Sequence, residues 1–443
     1  MTTTALLTDH YELTMVQAAR KAGTADRRGL FELFSRRLPS GRRYGVVAGV
    51  DRALDAIENF RFGEEEISFL LEKKVVDEDL AQWLSNYRFT GNVWGYAEGE
   101  IYFPGSPVLS VEGTFAEAVI LETVLLSIYN YDSAVASAAS RMTAMAGKRS
   151  VAEMGARRMN EWAAVAAARA AYIAGFSSTS NLEAGRSYGI PTIGTAAHSF
   201  TLLHDTEEDA FKAQINSFGE STTLLVDTYD IETAIRKGVE LTEGRLGYIR
   251  LDSGDLSYVA REARDLLDDL GATETKIMVT SDLDEWQIAA LSGAPVDAFG
   301  VGTRLVTGSG HPTASMVYKL VARTGDDPNG EYVSVQKASA GKGSVGGRKF
   351  AMRRRDSDGV AEAEIISIGN PPKNDGDDRD LLVSMFENGE RVHRATLEEA
   401  RAHHAMARAE LPRAALRISN GDPVLKTHVI DERGHEGLSP YSS

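Results

Sequence analysis

The chain has 443 residues, of which 43% are hydrophobic and 25% charged, and its formal net charge is −16 at pH 7. An ordinary globular composition at this length predicts two domains. The negative charge repels nucleic acid and anionic membranes, so we expect neither as a partner. Any phosphate group is expected to be held by local arginines or backbone groups. The chain has no cysteine, which excludes disulfides, thiolate nucleophiles and cysteine-ligated metals.

Residues 1–115 predict a first, mixed α/β domain. Residues 30–60 have the pattern of a strand, a basic loop and a helix, and residues 64–90 that of acidic helices. The segment GNVWGYAEGEIYFPGSPVLSVEGT (91–114) alternates and contains Gly and Pro, which predicts short antiparallel strands. The N-terminus has no basic run before a long apolar stretch, and no uncharged span is long enough to cross a bilayer, so we expect a cytoplasmic protein.

Residues 116–339 predict a second domain, an α/β barrel. Long core helices are expected over 115–149, which is rich in Ala and Leu. Short apolar runs then recur with helical patterns in most of the gaps: VAEMGA, AAYIAGF, IPTIG, TLLVD, GYIRLD, KIMVTS, DAFGVG and SMVYKLV. Alternating strands and helices predict a parallel sheet, and about seven or eight such strands can close into a barrel.

The C-terminal part, residues 340–443, is predicted to rejoin the first domain. It is mostly hairpin-like, followed by a helix beginning near Thr396, which has the spacing of a capping box with Glu399 and ends before Pro412. Three glycines match GxGxxG, namely Gly341, Gly343 and Gly346. The basic, strand-like segment after them lacks the helix that a dinucleotide site needs, so we reject that function.

Polar residues follow most of the apolar runs in the predicted barrel. They are residues 177–181, His198, Asp227, residues 252–255, Ser281 with Asp282, and Gly302 with Thr303. In an α/β barrel the loops after the strands share one rim, where active sites are built. Groups far apart in sequence are therefore expected to converge.

Several segments in one order resemble the nicotinate phosphoribosyltransferases: TDHYELTM (8–15), FELFSRRLP (31–39), GTAAHSF (194–200), IRLDSGDL (249–256), TSDLDE (280–285) and FGVGTRL (299–305). The resemblance implies an irregular TIM-like α/β barrel plus a second α/β domain built from both chain ends, working as a homodimer with shared active sites. It implies the substrates nicotinate, phosphoribosyl pyrophosphate and ATP, the ion Mg²⁺, and no tightly bound organic cofactor. The implied products are nicotinate mononucleotide and pyrophosphate, in NAD salvage.

The resemblance assigns the catalytic roles to His198, Arg250 and Asp252. Arg250 is expected over the pyridine ring, and Asp252 at the ribose hydroxyls or at magnesium-bound pyrophosphate. His198 is expected to be phosphorylated by ATP, which suits imidazole because its neutral form is nucleophilic near physiological pH. An internal ion pair is the alternative for Arg250 and Asp252, and a hydrogen-bonded polar group is the alternative for His198.

The expected phosphate-binding turn is Gly-rich. The resemblance places the 5′-phosphate on the backbone of Gly300, Gly302 and Thr303, where glycine permits close approach to an anion. A plain tight turn is the alternative.

Three further residues are candidates for the phosphoribosyl group. Asp282 is expected at the ribose, although it is nearly as well explained as a helix N-cap because Glu285 follows at capping-box distance. Arg36 and Arg37 are expected to help with phosphates, and exposed, solvated charges are the alternative.

The expected pyridine site combines an arginine with stacking side chains and donors. Arg157 matches an arginine of the family, and Met154 replaces the usual aromatic residue, where sulfur packs more weakly on a ring. Tyr11 is expected from the neighbouring subunit. The loop residues Ser178, Thr179, Ser180 and Asn181 include no acid and can donate to a carboxylate, which favours nicotinate over nicotinamide. A polar turn that caps the next helix is the alternative for this loop.

Two other functions remain open from the sequence. The chain could use nicotinamide or another pyridine, or it could be a phosphate-binding barrel without turnover that acts as a sensor or scaffold. The presence of His198, Arg250 and Asp252 together argues against the second.

Overall fold

The structure is a computed structural model that describes residues 3–327, 329–337, 344–431 and 433–441. Internal contacts divide it into two compact units: Met1–Ser137 with Thr313–Ser443, and Ala138–Pro312. The first unit thus combines both ends of the chain. Gly341 and Gly343 of the rejected GxGxxG pattern lie outside the described residues, as does the predicted boundary at residue 340.

The N-terminal part of the first unit alternates helices with short strands, as predicted. Its elements are α1 (His10–Lys21), β1 (Arg28–Ser35), β2 (Gly45–Val46), α2 (Val50–Glu58), α3 (Glu64–Glu72), α4 (Glu78–Ser85), β3 (Asn92–Tyr96), β4 (Ile101–Tyr102), β5 (Leu109–Thr114), α5 (Phe115–Val119) and α6 (Glu122–Ala146). Side chains cap the helices: Asp9 accepts from the backbone of α1, and Thr114 forms a capping box with Glu117 at α5. The division between the units falls within α6, at residues 137 and 138.

The second unit contains the parallel strands. Its elements are β6 (Ser150–Glu153), α7 (Glu161–Ile173), β7 (Ser178–Thr179), α8 (Leu182–Tyr188), α9 (His198–Leu203), α10 (Glu207–Phe218), β8 (Thr223–Leu225), α11 (Ile231–Leu241), β9 (Tyr248–Leu251), α12 (Leu256–Asp269), β10 (Lys276–Val279), α13 (Glu285–Ala290), β11 (Ala298–Val301) and α14 (Thr303–Val306). The strands form a six-stranded sheet in the order β7-β6-β11-β10-β9-β8, and all neighbours are parallel. This curled half-barrel is the irregular α/β barrel that the family resemblance implies, with six strands where the pattern of apolar runs predicted seven or eight.

Three of the eight predicted barrel strands were wrong, and two of these runs lie in the second unit. The run AAYIAGF lies mostly in α7, because its alanines favour a helix that Asn160 caps through the backbone N–H groups of Trp162 and Ala163. The run IPTIG contributes only an isolated parallel bridge between Thr192 and Thr179. The edge strand of the parallel sheet at this end is the two-residue β7 instead.

The C-terminal part is mainly antiparallel. Its elements are β12 (Met316–Arg323), β13 (Val333–Ser334), β14 (Lys349–Arg355), β15 (Ala361–Ile368), β16 (Arg379–Asp380), β17 (Leu382–Glu387), β18 (Glu390–Arg391), α15 (Leu397–Ala409), β19 (Lys426–Ile430) and β20 (Glu436–Leu438). The predicted capping box of Thr396 and Glu399 begins α15.

The sheets of the first unit join both chain ends. A seven-stranded sheet has the order β13-β12-β1-β5-β3-β17-β18, and β17 pairs with β3, so the C-terminal part rejoins the N-terminal part as predicted. A five-stranded sheet follows the order β16-β14-β15-β19-β20. The run SMVYKLV, predicted as a barrel strand, is β12 and lies antiparallel to β1. Its apolar pattern identified a strand but not the sheet it joins.

No helix among the described residues is both long and apolar enough to cross a bilayer.

Candidate active site

The two-residue period of the strands puts the site on one face of the parallel sheet. In β9, Ile249 and Leu251 are buried, while Tyr248 and Arg250 point to the opposite face and are half-buried. Arg250 is in register with Met278 of β10, which is in register with Ala298 of β11. Two residues further on, Asp252 and Thr280 directly follow β9 and β10, and Gly300 lies in β11.

These strand ends border a cleft of about 250 Å³. It is lined by eight residues predicted from the sequence: Met154, Arg157, Arg250, Asp252, Asp282, Gly300, Gly302 and Thr303. Three further residues that the prediction did not assign to a role also line it: Arg158, Thr280 and Ser281. Groups more than a hundred residues apart therefore meet at one place.

Arg250 is held at several points beneath the cleft. Its Nε donates to Thr280 Oγ1 at 3.0 Å, and its Nη1 donates to Thr195 Oγ1 at 2.9 Å. Its Nη2 lies 3.4 Å from Asp252 Oδ1, so the internal ion pair weighed as an alternative is present. The Asp252 side chain nevertheless remains 31% exposed toward solvent. The ion pair thus orients both side chains and leaves the carboxylate accessible.

His198 is the first residue of α9 and does not lie in a loop as expected. Its Nδ1 is 3.1 Å from Thr228 Oγ1. Its Nε2 is 3.9 Å from Asp227 Oδ1 and 4.0 Å from Asp252 Oδ2. The imidazole therefore has a hydroxyl on one side and two carboxylates on the other.

Asp227 is the acidic neighbour that the sequence could not identify. Its side chain is 1% exposed, and its Oδ2 accepts from the backbone N–H of Asp252 at 2.9 Å and from Ser253 Oγ at 2.7 Å. Its Oδ1, which faces His198, is buried and has no hydrogen-bond partner among the described residues. A buried carboxylate oxygen without a donor is costly, so a protonated Nε2 or a ligand donor would stabilise it. Its position as the last residue of the run TLLVD was the available signal.

The segment after β10 excludes the alternative of a helix N-cap at Asp282, while the expected ribose contact stays a prediction. Asp284 is the N-cap of α13, where its side chain accepts from Trp286 N and Gln287 N. Asp282 is exposed and lines the cleft. Ser281, beside it, has φ of 127°, a backbone conformation that is strained for any residue with a Cβ.

The glycine at position 300 is required by packing. A Cβ there would lie 2.5 Å from Thr280 Cγ2 and 2.7 Å from Met154 Sδ. Met154 thus packs against the cleft floor at the place where its backbone N–H donates to Val301 O at 2.8 Å. Gly302 follows at the start of α14, with its missing Cβ 3.3 Å from Met154 O.

The loop of residues 177–181 does not line this cleft. Thr179 is buried and donates its hydroxyl to Glu153, while Asn181 Oδ1 accepts from Ala184 N at 3.1 Å and caps α8. The capping alternative is therefore right for Asn181. The exposed Ser180 and the half-buried Ser178 follow the same strand end. Glu153 was missed by the sequence reasoning, although an acid within the apolar run VAEMGA was a signal.

Tyr11, Arg36 and Arg37 belong to the first unit, and their roles stay predictions. Tyr11 lies in the first turn of α1 and is 43% exposed. The guanidinium carbon of Arg36 is 5.8 Å from the centroid of the Phe34 ring, and Arg37 is exposed.

The cleft carries a local positive charge within an acidic chain. Three arginines and two aspartates line it, which gives a formal charge of 3 − 2 = +1. Within the described ranges, no group of three or more His, Asp or Glu side chains is arranged to hold a metal ion. Cationic side chains around an open, polar cleft at the carboxyl ends of parallel strands define an α/β-barrel enzyme that acts on an anionic substrate.

Comparisons with known proteins give the family. Residues 6–130 match the nicotinate phosphoribosyltransferase N-terminal domain, and residues 149–368 match the nicotinate phosphoribosyltransferase family. The chain therefore belongs to the nicotinate phosphoribosyltransferase family. Nicotinate phosphoribosyltransferase pncB1 of Mycobacterium tuberculosis (strain CDC 1551 / Oshkosh) is 51% identical over 434 residues, which cover 96% of this chain and 95% of that protein. The Bacillus subtilis (strain 168) nicotinate phosphoribosyltransferase is 38% identical, covering 84% and 77%.

A solved structure agrees with this assignment. The crystal structure of human nicotinic acid phosphoribosyltransferase superposes with a TM-score of 0.83 at 25% identity, covering 96% of this chain and 98% of that one. The fold described above is therefore that of the family.

Proposed function

We propose that the chain transfers the ribose 5-phosphate of phosphoribosyl pyrophosphate to nicotinate, and that ATP hydrolysis is coupled to this transfer through a phosphohistidine at His198. The products are nicotinate mononucleotide, a precursor of NAD, and pyrophosphate. The observation that carries the proposal is the position of the His198 imidazole, whose Nε2 lies 4.0 Å from Oδ2 of Asp252, a residue that lines the arginine-rich cleft.

The transfer step requires charge stabilisation around the anomeric carbon. The bond from that carbon to the pyrophosphate oxygen breaks, the electron pair leaves with pyrophosphate, and the pyridine nitrogen forms the new bond. Asp252 is suited to stabilise the developing ribosyl cation because its carboxylate is accessible and fixed by Arg250 and Thr280. Magnesium enters with phosphoribosyl pyrophosphate as part of the substrate, and Asp252 is the side chain we assign to that complex. Asp282 is assigned to the ribose.

The phosphates of the substrate need positive groups and free backbone donors. The formal positive charge of the arginine-lined cleft favours binding of the phosphates as a whole. The backbone around Gly302 and Thr303 is assigned to the 5′-phosphate, since the absence of a side chain at Gly302 permits close approach.

The pyridine carboxylate is assigned to the arginine-rich side of the same cleft. Arg250 and Arg157 supply positive potential, and Met154 packs on the ring. Ser180 offers an exposed hydroxyl donor at the neighbouring strand end. Because these groups favour an anion, nicotinate is the expected base and nicotinamide the disfavoured one.

The surroundings of His198 determine which nitrogen reacts with ATP. Two carboxylates near Nε2 favour the proton there, which leaves the lone pair on Nδ1, beside the Thr228 hydroxyl. Nδ1 attacks the terminal phosphorus of ATP, the bond to the bridging oxygen breaks, and ADP leaves. Water later cleaves the phosphohistidine, so the net reaction is ATP hydrolysis.

We infer that the site is completed by a second copy of the chain, with Tyr11 of the partner subunit stacking on the pyridine. Mixed Tyr11→Ala and Arg250→Ala proteins, each nearly inactive alone, are expected to recover part of the activity as hybrid dimers. No recovery after verified subunit exchange would contradict shared sites. We also infer a cytoplasmic location, because ATP and phosphoribosyl pyrophosphate are made there; cell fractionation tests it.

The function is tested by the formation of nicotinate mononucleotide from the purified protein with and without ATP. His198→Ala should retain transfer but lose its stimulation by ATP. His435→Ala is a matched control, since that side chain is 78% exposed in the first unit. Undiminished coupling of ATP hydrolysis to product formation in His198→Ala would refute the phosphohistidine, and equal use of nicotinamide by the wild type would refute the substrate.

A further inference from the structure

Glu153 is a buried acid that the transfer chemistry does not use. It is the last residue of β6, immediately before Met154, and its relative exposure is 0%. A carboxyl group is rarely placed in such a position unless hydrogen bonds compensate for its lost hydration. Its two oxygens contact two different segments, the loop after β6 and residues 177–181, which contain β7.

One oxygen of Glu153 fixes the loop that carries Arg157. Its Oε1 accepts from Gly155 N at 2.5 Å, and Gly155 O in turn accepts from Arg158 N at 2.9 Å. Gly155 is buried, and a Cβ there would lie 2.7 Å from Val306 Cγ1 and 3.1 Å from Gly302 O. The loop after β6 is therefore held close to the glycine turn after β11.

The other oxygen fixes the loop of residues 177–181. Thr179 Oγ1 donates to Glu153 Oε2, and the same Oγ1 accepts from Asn181 N at 2.9 Å. The backbone of Glu153 adds a second link, because its O accepts from Ser180 N at 2.8 Å. Thr179 is also tied to residues 191 and 193 through its own backbone at 3.0 and 2.9 Å.

We propose that Glu153 is a positioning residue that locks these two loops together and thereby sets the position of Arg157, the pyridine-binding arginine at the cleft. The proposal rests on the function proposed above. It concerns binding of the base and leaves the handling of phosphoribosyl pyrophosphate and ATP to other residues.

The hydrogen-bond pattern does not depend on a negative charge. Burial raises the pKa of Glu153, and the bonds from Thr179 and Gly155 oppose that shift. The neutral carboxyl keeps both contacts, since Oε1 still accepts from Gly155 and the protonated Oε2 donates to Thr179 Oγ1. Glutamine has the same shape and the same donor and acceptor. Glu153→Gln therefore separates positioning from charge.

The experiment measures steady-state kinetics of nicotinate mononucleotide formation for the full-length wild type and three variants, Glu153→Ala, Glu153→Gln and Thr179→Val. Nicotinate is varied at saturating phosphoribosyl pyrophosphate and ATP, and phosphoribosyl pyrophosphate is then varied at saturating nicotinate. Glu183→Ala is the matched control, because this acid lies in the first turn of α8 nearby and its carboxylate accepts from the exposed side chains of Arg186 and Ser187.

Glu153→Ala should raise the KM for nicotinate at least ~10-fold, with kcat and the KM for phosphoribosyl pyrophosphate changed by less than about threefold, as expected for lost binding of one substrate. Glu153→Gln should restore the KM to within about twofold of the wild type, and Glu183→Ala should match the wild type. Equal increases in both KM values, or a Gln variant as impaired as the Ala variant, would overturn the proposal.

If Glu153→Ala folds poorly, Thr179→Val provides the test instead. The Thr179→Val protein loses the contact of Glu153 with residue 179 and keeps the Glu153 carboxyl group and its contact with Gly155. An unchanged KM for nicotinate in Thr179→Val would then overturn the proposal. Wild-type protein without turnover would instead contradict the proposed function. In that case calorimetric nicotinate binding by the same variants still tests the loop geometry, with the same order of affinities expected.

Discussion

Replacing Asp227 by asparagine tests the arrangement around His198 most directly. The asparagine oxygen can keep the bonds from Asp252 N and Ser253 Oγ, which are 2.9 and 2.7 Å long for the carboxylate. What is lost is the negative charge 3.9 Å from His198 Nε2, where an amide donor would take its place. The variant therefore changes the electrostatics and tautomer of the imidazole with little change in shape.

The size of the effect follows from distance and exposure. The imidazole becomes cationic as Nδ1 bonds to phosphorus. Two unit charges about 4 Å apart interact by ~4 kcal/mol at an effective dielectric constant of about 20, and by ~1 kcal/mol in water. Asp227 is 1% exposed but His198 is 42% exposed, so solvent screens part of the interaction. We expect a loss of roughly 1.5–3 kcal/mol, which is about 10- to 100-fold in the rate of histidine phosphorylation.

The assay follows transfer of the terminal phosphate of labelled ATP to the protein, beside nicotinate mononucleotide formation without ATP. Phosphorylation should fall in Asp227→Asn while the ATP-independent transfer is largely retained. Asp230→Asn is the matched control, since asparagine also caps α11 in place of Asp230. Undiminished phosphorylation in a correctly folded Asp227→Asn protein would refute the role of this carboxylate.

Three further predictions concern turnover and stability. Asp252→Asn should lower kcat by ~10²-fold or more with a smaller effect on KM, because the carboxylate acts mainly in the transition state. Near-normal turnover would contradict this catalytic role and leave Asp252 a structural role in the ion pair with Arg250. Ser281→Gly should raise the free energy of unfolding, measured in urea, by about 1 kcal/mol, because glycine relieves the backbone strain at φ 127°. A free energy of unfolding below that of the wild type would contradict strain at this residue. Burial lowers the pKa of His404 from 6.5 to about 4, so below pH 6.5 the unfolded chain binds a proton that the folded one does not. Stability should fall as the pH decreases, by about 2–3 kcal/mol from this group at pH 4.5, and His404→Gln should lack this part of the loss between pH 7 and 4.5. An equal loss in both proteins would contradict this reasoning.

The convergence of the cleft could be predicted because it depends only on the strand period and on parallel order. Once Arg250, Asp252 and Gly300 are placed at the ends of parallel strands, their common edge follows without knowledge of the strand order. The catalytic and binding roles drawn from the family resemblance remain predictions. The structure shows which side chains lie at the cleft and are available for these roles.

Pairing and helix propensity account for what the sequence did not predict. The apolar pattern of SMVYKLV fits a strand of the parallel sheet as well as one of the antiparallel sheet. Only its long-range pairing with β1 decides that it belongs to the antiparallel sheet. The alanines of AAYIAGF fit a buried helix as well as a buried strand, since short apolar runs do not distinguish the two.

The roles of Asp227 and Glu153 could not be predicted for a different reason. Each is a carboxylate at a strand end whose neighbours, His198 and Thr179, are 29 and 26 residues away along the chain. A buried acid is informative only when its partners are known, and spacing does not supply them.

The small positive cleft in a strongly negative chain has a kinetic consequence. Long-range repulsion acts on phosphoribosyl pyrophosphate before it arrives, whereas the attraction of the three arginines acts only at short range. Added salt screens interactions beyond the Debye length, about 10 Å at 0.1 M, more than it screens direct contacts. Association of this polyanion should therefore become faster as ionic strength rises from low values, the opposite of the salt dependence of proteins that attract polyanions with a basic surface.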